Sequence, residues 1–304
     1  MQLKIREISR LRWVCALLLL TACCFRSAAV LREQSPAEAE YDSFFPEWGQ
    51  PQTEVTGVRE ELPFLFPEMA YVDILNRCGA EFDQQELFAR PLSFRLSTEP
   101  CVLIIHTHGS EAYIDCPDYR STDPGQNVLS VGARIAERLN AAGIPTIQDP
   151  TLHDVTAGYN SAYGQAEAAI RAYLEQYPSI GLVIDIHRDA VPDSAGGQKA
   201  LVTTLNGECA AQLMLVMGSD TPELPNSRWE DNLSLAMKVQ SYFSASASGI
   251  MRQTQLRASR YNQHLAPYSL LLEVGSAGNT LEEALRSATF AGDRLAQLLM
   301  AYAS

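Results

Sequence analysis

Short apolar runs alternate along the chain with longer stretches whose apolar residues recur every three or four positions. Residues 101–108 (CVLIIHTH) read as a buried strand and its exit. Over residues 127–144 (NVLSVGARIAERLNAAGI), Val128, Val131, Ile135 and Leu139 have helical spacing, and Gly143 closes the helix. Residues 162–178 (AYGQAEAAIRAYLEQYP) predict a second helix, stopped by Pro178. Further strands are predicted over 181–190 (GLVIDIHRDA), 212–219 (QLMLVMGS) and 268–276 (YSLLLEVGS). Helices are predicted over 232–246 and, as the longest, over 280–303. Apolar strands alternating with amphipathic helices predict an α/β protein whose sheet is covered on both faces. We expect a three-layer α/β/α sandwich with a mostly parallel or mixed central sheet.

The first seventy residues break this rhythm. A basic start (MQLKIREISRLR) precedes thirteen uncharged, mostly apolar residues (WVCALLLLTACCF). That run is shorter than the roughly 20 residues of a full span and fits the apolar region of an export signal. With its apolar flanks it can also serve as an uncleaved anchor. Leu20-Thr21-Ala22-Cys23 resembles a lipoprotein box, which would place a lipid on Cys23. The expectation is a signal-anchor segment over residues 1–30, with a lipoprotein or plain secretion as alternatives. Each would put the body of the protein outside the cytoplasm, held at the cell membrane in the first two cases. Residues 31–70, rich in Glu, Pro, Ser and Gln, read as an extended acidic linker whose Tyr41, Phe44, Phe45 and Trp48 could dock or simply pack. The main folded domain is then expected over 71–304.

Hydrophobic residues make up 46% of the chain, enough for a substantial core. The net charge is −13, and five of the basic residues lie in the first 26 positions, so the body is more acidic still. Charge alone therefore gives it no attraction to nucleic acid. Of seven cysteines, Cys15, Cys23 and Cys24 fall in the leader. Cys78, Cys101, Cys116 and Cys209 are scattered with no CxxC pair, which argues against a structural zinc cluster and leaves one bridge or free thiols open.

The polar residues of interest sit where strands run out, the usual place for ligand sites in such sheets. One strand exits into His106, His108 and Glu111; a second into Asp185, His187, Arg188 and Asp189; a third carries Glu273. His-x-His in extended chain would place both imidazoles on one side. His108, Glu111 and His187 make an imidazole–carboxylate–imidazole set of the kind that holds catalytic Zn²⁺ with one position open. Glu273 is the candidate for a second carboxylate that moves a proton without binding metal. His106 is then a supporting residue or an alternative ligand. Asp185 and Asp189 could orient the imidazoles, and Arg188 could hold a carboxylate or an oxyanion.

The motifs HTHGSEAY (106–113), NVLSVG (127–132), LHDVTAGYNSAY (152–163), DIHRDA (185–190), RYNQHLAP (260–267) and LLLEVGSAGNTLEEA (270–284) together resemble the stage II sporulation protein P family. The resemblance runs over residues about 100 to 300. It implies a membrane-anchored, zinc-dependent N-acetylmuramoyl-L-alanine amidase that acts on peptidoglycan during engulfment in sporulation, with endopeptidase activity on crosslinks. It implies similarity in fold to zinc-dependent cell-wall amidases and zinc exopeptidases. The ligand roles of the related amidases fall on His108, Glu111 and His187, and the catalytic carboxylate on Glu273. Those amidases carry their ligand Glu near the start of the first helix, where this chain has Asn127. Family members often show two adjacent glycines after the valine of EVG; here the run is Gly275-Ser276-Ala277-Gly278. Arg260, Tyr261, Asn262 and Asn279 are the expected substrate contacts. His153-Asp154 belongs to the matched pattern without an assigned role. A lytic transglycosylase and a multispanning membrane protein are the partners the resemblance implies. Two other readings stand beside it: a zinc carboxypeptidase-type peptidase, and a non-catalytic, membrane-anchored wall-binding scaffold.

Overall fold

The computed structural model describes residues 67–303 apart from Ala157, and these fall within one compact unit, 61–304. The predicted anchor and most of the predicted linker lie outside the described residues. Among the described residues no helix is long and apolar enough to cross a membrane.

Nine strands are described: β1 (Ile74–Asn76), β2 (Val102–Ile105), β3 (Thr146–Gln148), β4 (Leu182–Asp189), β5 (Val202–Leu205), β6 (Glu208–Ala211), β7 (Leu213–Gly218), β8 (Thr254–Arg257) and β9 (Tyr268–Ser276). The helices are α1 (Gln84–Ala89), α2 (Val128–Ala141), α3 (His153–Thr156), α4 (Ala162–Gln176), α5 (Trp229–Ser246) and α6 (Leu281–Tyr302). Seven strands form the central sheet in the order β1-β8-β7-β9-β4-β2-β3. Every neighbouring pair is parallel except β7 with β9, so the sheet is mixed. β5 and β6 form a separate hairpin turned by Asn206-Gly207, both with positive φ (52° and 85°), the left-handed pair that a tight two-residue turn requires.

Both faces of the sheet are covered. On one, Leu103, Ile105 and Val183 pack against Ala166 and Ile170 of α4 and against Ala266. On the other, Ile184, Leu215, Leu270 and Leu272 meet Ile135 of α2, Val239 and Phe243 of α5, and Ala291 and Leu295 of α6. This is the predicted α/β/α sandwich. Alternation along a strand explains the division: Val183 of β4 faces α4 and Ile184 the other three helices, while on β9 Leu270 and Leu272 face those helices and Leu271 packs with Met214 and Val216 of β7.

The helix ends are built locally. Asn127 is the N-cap of α2; its side chain accepts from Leu129 N at 2.9 Å. Thr280 and Glu283 form a capping box at the start of α6. Glu68 already exchanges two backbone hydrogen bonds with the hydroxyl of Ser241 on α5, so the chain is tied to the body a few residues before the expected domain start. The four described cysteines, Cys78, Cys101, Cys116 and Cys209, are free thiols. The short strands β1, β3 and β8 carry no long apolar run and were not predicted.

Candidate active site

The site forms where β2, β4 and β9 end side by side. β4 pairs with both neighbours in parallel, so their carboxyl ends lie together, and the register sets His187 directly against Glu273. Asp185 and His187 share the α4-facing side of β4 with Val183. Asp185 accepts from Thr107 N at 2.9 Å and from Thr107 Oγ1 at 2.6 Å, which pins the exit of β2 to β4. Its Oδ1 also lies 3.0 Å from His187 Nε2.

The two histidines of His-x-His part company here, contrary to the expectation that they share a side. His106 continues the face of Ile104 and packs beneath α2, where a Cβ on Gly132 would collide with its ring. Its Nε2 lies 2.8 Å from Gln148 Nε2. Burial pushes its pKa down to about 4, so it stays neutral. His106 is therefore on the far side of the sheet from His187 and does not join the site. The chain turns after it, and His108 comes round so that its ring centroid lies 5.5 Å from that of His187.

Glu111 sits between these rings and the start of α2. Its backbone carbonyl accepts from Val128 N at 2.9 Å, which ties Glu111 to the first residue of α2. Glu111 Oε2 accepts from Arg188 N at 3.1 Å and lies 3.5 Å from His187 Nδ1. That last distance is long for a hydrogen bond. It matches the roughly 3.3 Å edge between two donors on a tetrahedral zinc with bonds of about 2.0–2.1 Å. Arg188 is buried and each guanidinium nitrogen donates within the protein, to Ala112 O, Glu111 Oε1 and Tyr119 O. The carboxylate it holds is the protein's own.

The charges follow from this packing. Burial opposes ionisation of Glu111 and Asp185, but His187 and, for Glu111, Arg188 outweigh it and hold both carboxyls below their ordinary range. Burial opposes charge on His187 too, yet Asp185 and Glu111 raise its pKa well above the usual imidazole value. His108 moves the other way, lowered by burial and by His187. Glu273 is pushed up to about 8, chiefly by desolvation, with Glu111 and Asp189 adding to it against His187.

Two buried atoms here lack hydrogen-bond partners: His108 Nδ1 and Glu273 Oε2. A cluster of carboxylates that stabilises a positive charge on His187, with an unpartnered imidazole nitrogen beside it, has the chemistry of a cation site. The set fits zinc in donor type and in the Glu111–His187 spacing. Among the described residues, no group of three or more His, Cys, Asp or Glu side chains is already converged at ligand distance. His108 is held instead in a parallel stack on Tyr159, centroids 4.0 Å apart at 11°.

The remaining predicted residues are placed elsewhere. Asp189 pairs with Arg252 at 2.7 Å and orients no imidazole. Asn279 is wholly buried: its amide bridges Leu201 N, Leu201 O, Ser276 N and Glu283, which makes it a loop tie and not a substrate contact. Asn262 donates to Tyr163 O at 2.8 Å, and Arg260 lies 3.8 Å from Glu167. Tyr261 reaches the site through Tyr163, whose ring centroid is 5.9 Å from its own and 5.6 Å from that of His108. His153 bonds Asp149 at 2.8 Å, while Asp154 accepts from Ser110 and from Arg120.

Tyr159 and Tyr163 were missed as site residues. Both lie in LHDVTAGYNSAY, four positions apart, a helical spacing that would have pointed to one wall.

Fold and site thus define a mixed α/β sheet protein with two imidazoles and a cluster of carboxylates gathered at the strand ends. The chain belongs to the stage II sporulation protein P (SpoIIP) family, which matches residues 74–296. Stage II sporulation protein P of Bacillus subtilis (strain 168) is 26% identical over 213 residues, covering 65% of this chain and 50% of that protein. The chain thus spans about half the length of the curated relative it matches. Among solved structures, N-acetylmuramoyl-L-alanine amidase AmiC2 of Nostoc punctiforme is 15% identical, covers 68% of this chain and 98% of its own, and has a TM-score of 0.39. The N-acetylmuramoyl-L-alanine amidase of Clostridium difficile 630 is 14% identical over 67% of this chain and 95% of its own, with a TM-score of 0.38.

Proposed function

We propose that this chain is a zinc-dependent peptidoglycan hydrolase, an N-acetylmuramoyl-L-alanine amidase that cleaves stem peptides from glycan during engulfment. The observation that carries the reading is the pairing of His187 with Glu273 across β4 and β9, beside Glu111 and an unpartnered His108. Family membership supports the sporulation setting. His108, Glu111 and His187 would hold the metal. When bound, zinc supplies Lewis acidity and brings the pKa of water toward about 7. Asp185 keeps the His187 ring oriented from behind. Arg188 keeps Glu111 in place through its backbone and guanidinium. Glu273, unpartnered and facing His187, takes a proton from the attacking water and delivers it to the leaving nitrogen.

Residues 1–30 would anchor the chain outside the cytoplasm, and a lytic transglycosylase and a multispanning membrane protein would be its partners. The test is on the full-length protein. Bound zinc is quantified, and products released from purified sacculi are analysed with and without a chelator. One zinc per chain with chelator-sensitive release of sugar-free stem peptides supports the amidase. Zinc with cut crosslinks and intact sugar–peptide bonds replaces it with the peptidase. Neither zinc nor products, even with a transglycosylase added, leaves the wall-binding scaffold.

A further inference from the structure

Arg188 could have held a substrate carboxylate, but each of its guanidinium nitrogens already donates to a group within the protein. A second guanidinium stands nearer to solvent. The Arg120 side chain is 36% exposed and is held at 2.9 Å by Asp154, whose own side chain is 2% exposed. Arg120 Nη1 serves Asp154 and Ser110 Oγ. Its Nε and Nη2 have no hydrogen-bond partner among the described residues, so the outer edge of the fork is open. The guanidinium carbon lies 5.1 Å from the ring centroid of Tyr159, and that ring is the one stacked on His108. Tyr159 is itself 54% exposed, unusual for a large aromatic with two ordered stacking partners. Arg120 is therefore a single aromatic ring away from a proposed metal ligand.

The backbone is built to put it there. Asp118 and Tyr119, just before Arg120, both have positive φ (57° and 54°). Consecutive left-handed non-glycine residues cost about 1–3 kcal/mol each and persist where surrounding contacts impose them. Here the contacts are Tyr119 O accepting from Ala112 N and from Arg188, and the bridge that pairs Arg120 with Glu111. The strained turn thus fixes Arg120 to the same backbone that carries Glu111.

We propose that Arg120, presented over Tyr159 and held by Asp154, is the carboxylate receptor of the substrate site and selects stem peptides with free acid groups. The inference rests on the hydrolase reading and names a determinant of its substrate. A planar fork with an open Nε–Nη2 edge donates two parallel hydrogen bonds to a carboxylate, and the Tyr159 ring supports the guanidinium from one side. Asp154 is a positioning residue.

The probe is a synthetic muramyl peptide with free carboxylates, compared with the same peptide bearing amides there. Binding to full-length protein is measured by calorimetry and hydrolysis by kcat and KM. The original protein is expected to prefer the free acid. Arg120→Gln is expected to weaken free-acid binding about 10- to 100-fold, as for a lost charge-assisted pair, and leave the amidated peptide unchanged. The loss should fall in KM. Arg120→Lys, which keeps the ion pair with Asp154 and lacks the fork, should show most of the same loss while remaining as stable as the parent. Equal preference in the parent and both variants overturns the proposal while the hydrolase reading stands. Loss of preference in Arg260→Gln and not in Arg120→Gln moves the receptor to Arg260 and also overturns it. If the parent neither binds nor cleaves either peptide, but intact sacculi release no products as well, the hydrolase reading itself fails and takes the receptor with it.

Discussion

His106 and His108 differ by one intervening residue, and that residue decides the site. Thr107 gives both its N–H and its hydroxyl to Asp185, which ends the strand and frees the chain to turn. His106 is left under α2, neutral, against Gly132 and Gln148. His108→Ala should therefore abolish bound zinc, measured per chain, while His106→Ala should retain it; the reverse result would shift the ligand register by two residues. Glu273 illustrates the same dependence on surroundings. It carries an unpartnered oxygen and a pKa near 8 because burial removes water and Glu111 adds like charge. Glu273→Gln is expected to keep zinc and fold and to lower turnover about 10²- to 10⁴-fold, the range of a lost general base. Loss of zinc in that variant would make Glu273 a ligand instead.

Between elements, buried polar side chains act as ties. Asn279 joins the start of α6 to Leu201 ahead of β5 through four hydrogen bonds. Asn279→Ala leaves those groups unpaired and should cost about 2–3 kcal/mol in a urea titration. KM for peptide should not move, and a rise in KM without loss of stability would restore the substrate role. Lys238 on α5 makes a comparable tie, donating to Phe88 O in α1 and to Ser234. Burial lowers its pKa from 10.5 to about 8, with Arg90 contributing. The folded chain then binds fewer protons than the open chain between those values, so the contribution of Lys238 to stability rises with pH across that window. Lys238→Met should lack this rise. Identical pH slopes of the urea midpoint in both proteins would show that the amine does not titrate there.

At the scale of the molecule, the proposed zinc should act as a stabiliser, because only the folded chain gathers His108, Glu111 and His187 from two strand ends and a turn. At free zinc about 100 times Kd the gain is about 2.7 kcal/mol, or a rise in Tm of roughly 5–10 °C for a domain of this size. His187→Ala should abolish that rise, and an undiminished rise would place the stabilising zinc elsewhere. The strands β2, β4 and β9 and the helices α2, α4, α5 and α6 were legible in the sequence, since apolar periodicity reports which local structure buries a continuous face. So were the strand-end positions of His187 and Glu273, because a polar group directly after an apolar run must lie where the run leaves the core. Short strands such as Thr254–Arg257 were not, having too few apolar residues to carry a period. Nor were the partners of polar groups. Asp189 on Arg252, Asn279 on Leu201, Arg188 on Glu111 and Arg120 on Asp154 and Tyr159 join residues 34 to 78 positions apart, counting from the bonded pairs. A sequence determines by its local pattern which segments become strands and helices and where each leaves the core. Which charge meets which is decided only when the sheet order brings distant strand ends together, because a buried polar group takes whatever partner the tertiary packing sets within reach.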